Sequence, residues 1–113
     1  MDTTINTETL ETLIRSHTPM VLLDAREGQW DDGRRIPGAH ICSPTISEDR
    51  LRHLVSSRDM LIVTYCGGLS CPLSEHLADR LRSLGYSNVL TYRQGIAAWA
   101  EAGKTIERMK AAG

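Results

Sequence analysis

The feature of this sequence that most constrains its fold is the alternation of short apolar runs with segments of helical period. Residues 21–24 (VLLD), 60–65 (MLIVTY) and 88–92 (NVLTY) are short continuous runs of mostly apolar residues. Such runs are typical of strands that are covered on both faces, as in parallel sheets. The helical segments are residues 7–17, 45–55, 72–85 and 96–102. This alternation predicts an α/β fold with a central parallel β-sheet and helices on both faces.

Several predicted helices carry recognisable end signals. Residues 7–10 resemble an N-cap and first turn, and Thr45 with Glu48 forms a candidate capping box. Pro72 suits the first position of the third helix, and Gly85 suits its C-terminal end. These signals divide the chain into elements of ordinary length.

The chain of 113 residues is long enough for one hydrophobic core and too short for two. We therefore expect a single domain over residues 1–113, with a core at about residues 5–106 and a tail at residues 107–113. The charged and glycine-containing composition of residues 26–35 predicts a long loop at the end of a strand. Long loops in this position often carry functional residues. Residues 36–41 predict a turn into a brief strand, and the polar segment 104–113 shows some helical character.

Charge and composition exclude several classes of partner. Thirteen Lys and Arg against fourteen Asp and Glu give a net charge of -1, without a polybasic run. We therefore expect neither nucleic acid nor a membrane as a partner. The first residues lack the pattern of a signal peptide, and three cysteines are an odd number for a disulfide-stabilised secreted domain. These features favour the cytoplasm.

Cys66 has the strongest chemical signal. It follows a predicted strand, precedes a predicted helix, and is followed at once by Gly67 and Gly68. Backbone amides at such a junction lack intrahelical partners, and glycines let them turn inward to hold an anion. Lowering a thiol pKa by two units takes about 2.7 kcal/mol, of which a helix end supplies at most about 2, so loop amides must supply the rest. The pattern indicates an activated thiolate.

Five segments around this cysteine resemble the rhodanese family of sulfurtransferases, over about residues 5–106. LLDAR at residues 22–26 resembles its aspartate-x-arginine element, and IPGAH at residues 36–40 resembles its isoleucine-proline-glycine-alanine turn. IVTYC at residues 62–66 is similar to the strand that delivers its catalytic cysteine. LGY at residues 84–86 and YRQGIAAW at residues 92–99 resemble segments near the family's end. Each motif alone is weak, but together and in this order they are specific.

The resemblance implies that Cys66 takes a sulfane sulfur from a donor, holds it as a persulfide, and passes it to a thiophilic acceptor. The donor would be thiosulfate, a persulfide or a mercaptopyruvate-type compound, and the acceptor cyanide, a thiol or a protein. No metal and no organic cofactor is implied. We expect a monomer or weak dimer. The substrate-binding loop would comprise Gly67, Gly68, Leu69, Ser70 and Cys71.

The sequence departs from the family's pattern at two places. Leu69 stands where glycine is common, and Cys71 replaces the residue, often Arg or Thr, that closes the loop. Losing a cation there would weaken the capture of thiosulfate. Cys71 is also a candidate partner for Cys66: it could release sulfide from a persulfide, close a regulatory disulfide, or merely fill the space. Arg34 and Arg35 replace glycine and histidine and form either a solvated surface pair or a replacement cation at the mouth of the site.

Other residues have weaker signals. Asp24, Arg26 and Arg35 are supporting candidates, the first two more as braces of the loops than as substrate contacts. Cys42 and Trp99 fit the core, and His76 fits an exposed helix face. Trp30 fits a packing role or a wall of the pocket.

The sequence bears on three alternatives to a sulfurtransferase. A zinc knuckle needs four ligands, and Cys66 with Cys71 lacks a second pair of ligands at knuckle spacing. A cysteine-loop phosphatase or arsenate reductase needs an arginine at the sixth position after Cys66, where this chain has Pro72. A non-catalytic rhodanese-like module that binds a protein, or senses oxidants through Cys66 and Cys71, stays open.

Overall fold

The computed structural model describes residues 3–26 and 31–108. Its helices are α1 (Thr7–Arg15), α2 (Glu48–Leu54), α3 (Leu73–Ser83) and α4 (Gly95–Glu101). Its strands are β1 (Met20–Asp24), β2 (Arg34–Arg35), β3 (His40–Ile41), β4 (Leu61–Tyr65), β5 (Val89–Tyr92) and β6 (Glu107–Arg108).

The central sheet has four parallel strands in the order β3-β1-β4-β5. Strands β1 and β4 are the inner pair, and their side chains are almost all buried towards the carboxyl end. This explains why their sequences are continuous apolar runs. The predicted α/β fold is confirmed.

Two apolar layers cover the sheet, one on each face. Neighbouring residues of a strand point to opposite faces, so Leu23 and Ile62 pack with α2 and α3, while Leu22 and Val63 pack with α1 and α4. Within the described part of the chain, every helix is too short or too polar to cross a lipid bilayer.

The helix starts differ from the predicted ones by one or a few residues. Asn6, rather than Thr7, caps α1, because its side chain accepts the Thr9 amide at 2.8 Å. Ser47 caps α2, because its hydroxyl oxygen accepts a hydrogen bond from the Arg50 amide at 3.2 Å. The predicted capping box of Thr45 and Glu48 is therefore wrong. Pro72 is the N-cap residue of α3 and not, as predicted, its first helical residue. The helix therefore begins one residue later than predicted, at Leu73. Gly85, with a φ of 94°, follows α3 as predicted.

The predicted helical character of residues 104–113 is wrong for the part described. Gly103, with a φ of 75°, ends the helical path, and the Trp99 indole donates to Thr105 O at 2.8 Å. The chain then runs back as β6, which pairs antiparallel with β2. Residues 109–113 lie outside the described residues.

Candidate active site

Cys66 lies at the carboxyl end of β4, between the ends of β1 and β5. The residue is 1% exposed. The Thr64 hydroxyl donates to Ser74 O at 3.0 Å and so fastens the end of this strand to the first turn of α3. In open parallel sheets, ligands bind at the carboxyl ends of the strands. The structure thus places the thiol where the fold has its usual binding site.

The loop after Cys66 rests on the start of α4. Ile96 N donates to Cys66 O and Ala97 N donates to Gly67 O, both at 3.0 Å. Gly95 makes this approach possible: a Cβ there would lie 2.4 Å from Cys66 O, and its φ of 66° is left-handed. The sequence signal for this role is a glycine between a predicted strand and a predicted helix, which by itself does not indicate a function.

This packing sets the direction of the loop amides. In a trans peptide the N–H points opposite to the C=O, so the N–H groups of Gly67 and Gly68 point away from the α4 amides. Among the described residues, the amides of Gly67, Gly68, Leu69 and Ser70 have no protein acceptor. They are therefore available to hydrogen-bond a bound anion.

A cavity of about 300 Å³ opens at this loop. Arg26, Ala97 and residues 66–68, 70 and 71 line it. Leu69 is absent from that lining and is 67% exposed, so its side chain points outward rather than into the predicted substrate-binding surface. Ala97 had no sequence signal.

Cys66 and Cys71 are joined by a disulfide. Their Cα atoms lie 6.2 Å apart, within the usual range for a disulfide. Cys71 N donates to Gly68 O at 3.1 Å, which holds the loop in a tight curl. The third cysteine, Cys42, is a buried free thiol in the α2–α3 layer. Burial raises its pKa to about 11, so it is a protonated thiol at neutral pH.

Beside the loop lies a buried cluster of charged side chains. Asp24 is fully buried and accepts the Arg26 amide at 3.0 Å and an Arg26 guanidinium N–H at 2.8 Å. Arg35 donates to Asp24 at 3.0 Å and to Asp31 at 2.7 Å. Arg26 also donates to Asp32 at 3.0 Å. The Asp24–Arg26 pairing is the bracing arrangement that the sequence favoured.

Arg35 differs from both of its predicted alternatives. It is 2% exposed, so it is not a solvated surface residue, and it does not line the cavity at Cys66. Its place in β2 turns its guanidinium inward onto the two aspartates. Arg34 is part-exposed and pairs with Asp32 at 2.8 Å. Neither arginine restores a free cation at the mouth of the site.

Two aspartates of this cluster, Asp31 and Asp32, have lowered pKa values. The hydrogen bond from Arg35 lowers the pKa of Asp31. Burial opposes ionisation of Asp32, but the hydrogen bonds from Arg34 and the hydrogen bond and charge of Arg26 together outweigh burial and lower the pKa of Asp32 to about 2. Among the described residues, ion pairs match arginines 26, 34 and 35 with aspartates 24, 31 and 32, so these six side chains carry no excess positive charge.

The remaining candidates are His76, Trp99 and Trp30, and the first two do not line the cavity at Cys66. His76 is exposed on α3. Trp99 packs edge-on against Tyr92 in the α1–α4 layer. Trp30 lies outside the described residues.

A family model for the rhodanese-like domain matches residues 6–102. This chain belongs to the rhodanese-like domain family. The match spans every element of the central sheet and all four helices, and the family includes sulfurtransferases. None of the curated proteins searched matches the chain.

Solved structures share the fold. The BH2092 protein from Bacillus halodurans is 24% identical, with 92% of this chain and 75% of that one covered and a TM-score of 0.81. The rhodanese-like domain of the Alr3790 protein from Anabaena sp. is 24% identical, with 100% and 88% covered and a TM-score of 0.76. Thiosulfate sulfurtransferase from Pseudomonas aeruginosa is 21% identical, with a TM-score of 0.74. The match covers 95% of this chain but 20% of that enzyme.

Proposed function

We propose that this rhodanese-like domain is a sulfurtransferase that moves a sulfane sulfur from a donor to a thiophilic acceptor through a persulfide on Cys66. The observation that carries the proposal is the position of Cys66 at a strand end, next to loop amides that have no acceptor among the described residues. Amide donors favour the thiolate over the thiol, and they also suit the negative charge of a bound donor and of the persulfide.

The reaction has two halves. With the disulfide reduced, the Cys66 thiolate attacks the outer sulfur of a persulfide donor R–S–SH. A new S–S bond forms on Cys66, the S–S bond of the donor breaks, and R–S⁻ leaves with that electron pair. In the second half an acceptor such as cyanide or a thiol attacks the outer sulfur, and Cys66 leaves as the thiolate. The unpartnered loop amides hydrogen-bond the outer sulfur between the two halves.

The charge balance of the neighbouring cluster bears on the donor. Thiosulfate carries two negative charges, and Arg26, the arginine that lines the cavity, is already bound to Asp24 and Asp32. We infer that a persulfide or mercaptopyruvate-type donor is used more readily than thiosulfate, because it brings less negative charge into the cavity.

Mass spectrometry of the intact protein tests the sulfur transfer. The reduced Cys71→Ser variant, in which the second cysteine cannot remove sulfur from Cys66, is incubated with thiosulfate, glutathione persulfide or mercaptopyruvate. We expect a gain of one sulfur atom with at least one donor, and no gain in the Cys66→Ser, Cys71→Ser double variant. No gain with any donor would refute the proposal.

A second candidate is a non-catalytic domain that senses oxidants or binds a protein. The Cys66–Cys71 disulfide favours sensing, since its formation joins two residues of the cavity wall. A sensor would form this disulfide with peroxide and accept sulfur from none of the three donors. The same mass measurement therefore separates the two candidates.

The proposed cycle fits the cytoplasm, because it requires thiols that are kept reduced. Its partners would be a small-molecule sulfur donor and a thiol, cyanide or protein acceptor. We propose a monomer or weak dimer, which sedimentation measurements test directly.

A further inference from the structure

We propose that Cys71 is a resolving cysteine, which releases the sulfur held on Cys66 as hydrosulfide and closes the Cys66–Cys71 disulfide. This step rests on the proposed function, because it begins from the Cys66 persulfide. It assigns the protein a sulfide-releasing activity, with a dithiol as the second substrate.

The loop joins the two sulfur atoms within the observed fold. Cys66 and Cys71 both line the cavity, and they are bonded in the structure with a Cα separation of 6.2 Å. In that bonded state Cys66 O and Gly67 O still accept hydrogen bonds from α4, and Thr64 still binds Ser74 O. The anchors on both sides of the loop are thus compatible with the resolved state.

The resolving step is an attack by one cysteine on the other. The Cys71 thiolate attacks Sγ of Cys66, an S–S bond forms between the two cysteines, and the bond to the outer sulfur breaks. The outer sulfur takes the electron pair, gains a proton, and leaves as hydrosulfide. The outer sulfur is thereby reduced by two electrons, and the two cysteine thiols are oxidised to the disulfide.

A dithiol restores the site. Cys66 is 1% exposed, whereas Cys71 is part-exposed next to the exposed Ser70 and Pro72. An incoming thiolate therefore reaches Cys71 first, forms a mixed disulfide with it, and releases Cys66 as the thiolate ready for the next donor. The second thiol of the dithiol then displaces Cys71, leaving the dithiol oxidised and both cysteines reduced.

Cys42 does not fit this role. It packs in the α2–α3 layer with Leu51 and Val55, it is absent from the cavity lining, and its pKa is raised to about 11. It is therefore a suitable control for the number of cysteines.

The test is a single turnover in the absence of oxygen. Reduced protein, freed of reductant, receives one equivalent of glutathione persulfide, and released sulfide and intact mass are both measured. For the wild type and for Cys42→Ala we expect one sulfide per chain and a protein lighter by two hydrogens. For Cys71→Ser and Cys71→Ala we expect the extra sulfur to stay on the protein. Their sulfide release should be at least about tenfold slower, because an intramolecular thiol acts at an effective concentration of the order of mM.

The outcomes separate the two proposals. If both Cys71 variants gain sulfur but release sulfide as fast as the wild type, Cys71 is not the resolving residue. If the wild type keeps the sulfur and peptide mapping finds it on Cys71, the residue relays sulfur and the resolving step is wrong. If neither Cys71 variant gains sulfur from any donor while its circular dichroism is native, the proposed function fails as well. Two variants at this part-exposed position guard against one that folds poorly.

Discussion

Replacing Gly95 by alanine should detach the reactive loop from α4. The new Cβ would lie 2.4 Å from Cys66 O and 2.8 Å from both Gly67 C and Gly68 N. These are backbone atoms, which cannot rotate aside as the end of a flexible side chain does. Either the loop or the first turn of α4 must shift, and we expect both hydrogen bonds between them to be lost.

The size of the effect follows from two contributions. Alanine in the left-handed conformation costs about 1–2 kcal/mol relative to a right-handed one. Losing two backbone hydrogen bonds costs about 0.5–1.5 kcal/mol each. The free energy of unfolding of Gly95→Ala should therefore fall by about 2–5 kcal/mol.

Gly103→Ala is the matched control. Gly103 has a φ of 75°, but a Cβ there meets nothing within 4 Å, so only the conformational cost of about 1–2 kcal/mol applies. Both substitutions restrict the unfolded chain equally, so that contribution cancels in the difference. Urea unfolding of the oxidised proteins, followed by circular dichroism, measures both values. Equal losses in the two variants would refute the argument that Gly95 is required by the close approach of the loop.

Three further predictions concern the charged cluster and the thiols. Asp24→Asn should lower the free energy of unfolding by about 3–5 kcal/mol, since it leaves two buried guanidinium groups without their shared carboxylate. Asp49→Asn, at an exposed ion pair, should change it little in the same urea assay, and equal effects would contradict this account. The folded pKa of Asp32, about 2, lies below its ordinary value of 3.8. Its stabilisation is therefore present above that ordinary value and is lost as the pH falls through about 2. Asp32→Asn should therefore weaken the dependence of the free energy of unfolding on pH between about 2 and 3.8. An unchanged dependence in this pH range would contradict the ion pairing of Asp32. In the native reduced protein a thiol reagent should label the part-exposed Cys71 quickly and Cys42 only on unfolding, since Cys42 is buried outside the cavity and its thiol has a pKa of about 11. Fast labelling of Cys42, located by peptide mapping, would show that the α2–α3 layer is open.

The sequence predicts the buried strands of the central sheet well, but it predicts the two-residue strands and the helix caps poorly. Strands β1, β4 and β5 are buried runs, so their composition alone distinguishes them from loops. Strands β2 and β6 have two residues each, and they pair across a separation that no local pattern reveals. The caps Asn6 and Ser47 lie beside other residues of the same capping ability, so the sequence could not select among them.

The candidate site shows the same division between local and distant information. Cys66 and its glycines form one local signal, and the structure places them at the end of the sheet. Arg35 was misjudged because its burial depends on Asp24 and Asp31, and the fold alone brings those carboxylates to it. Gly95 was missed because its constraint comes from the approach of another loop.

The neutral cluster and the second loop cysteine together favour a reaction that uses only thiol chemistry. Because the guanidinium of Arg26 is already paired with Asp24 and Asp32, we infer that the amide groups of the loop are the main donors to a bound anion. Amide groups suit a donor with one negative charge better than thiosulfate, which has two. A persulfide donor leaves behind a thiol, and Cys71 then needs only a dithiol to return to its reduced state. In the proposed cycle a persulfide and a dithiol give a thiol, hydrogen sulfide and an intramolecular disulfide of the dithiol. The proposed cycle therefore requires one reaction that generates persulfides and another that regenerates dithiols.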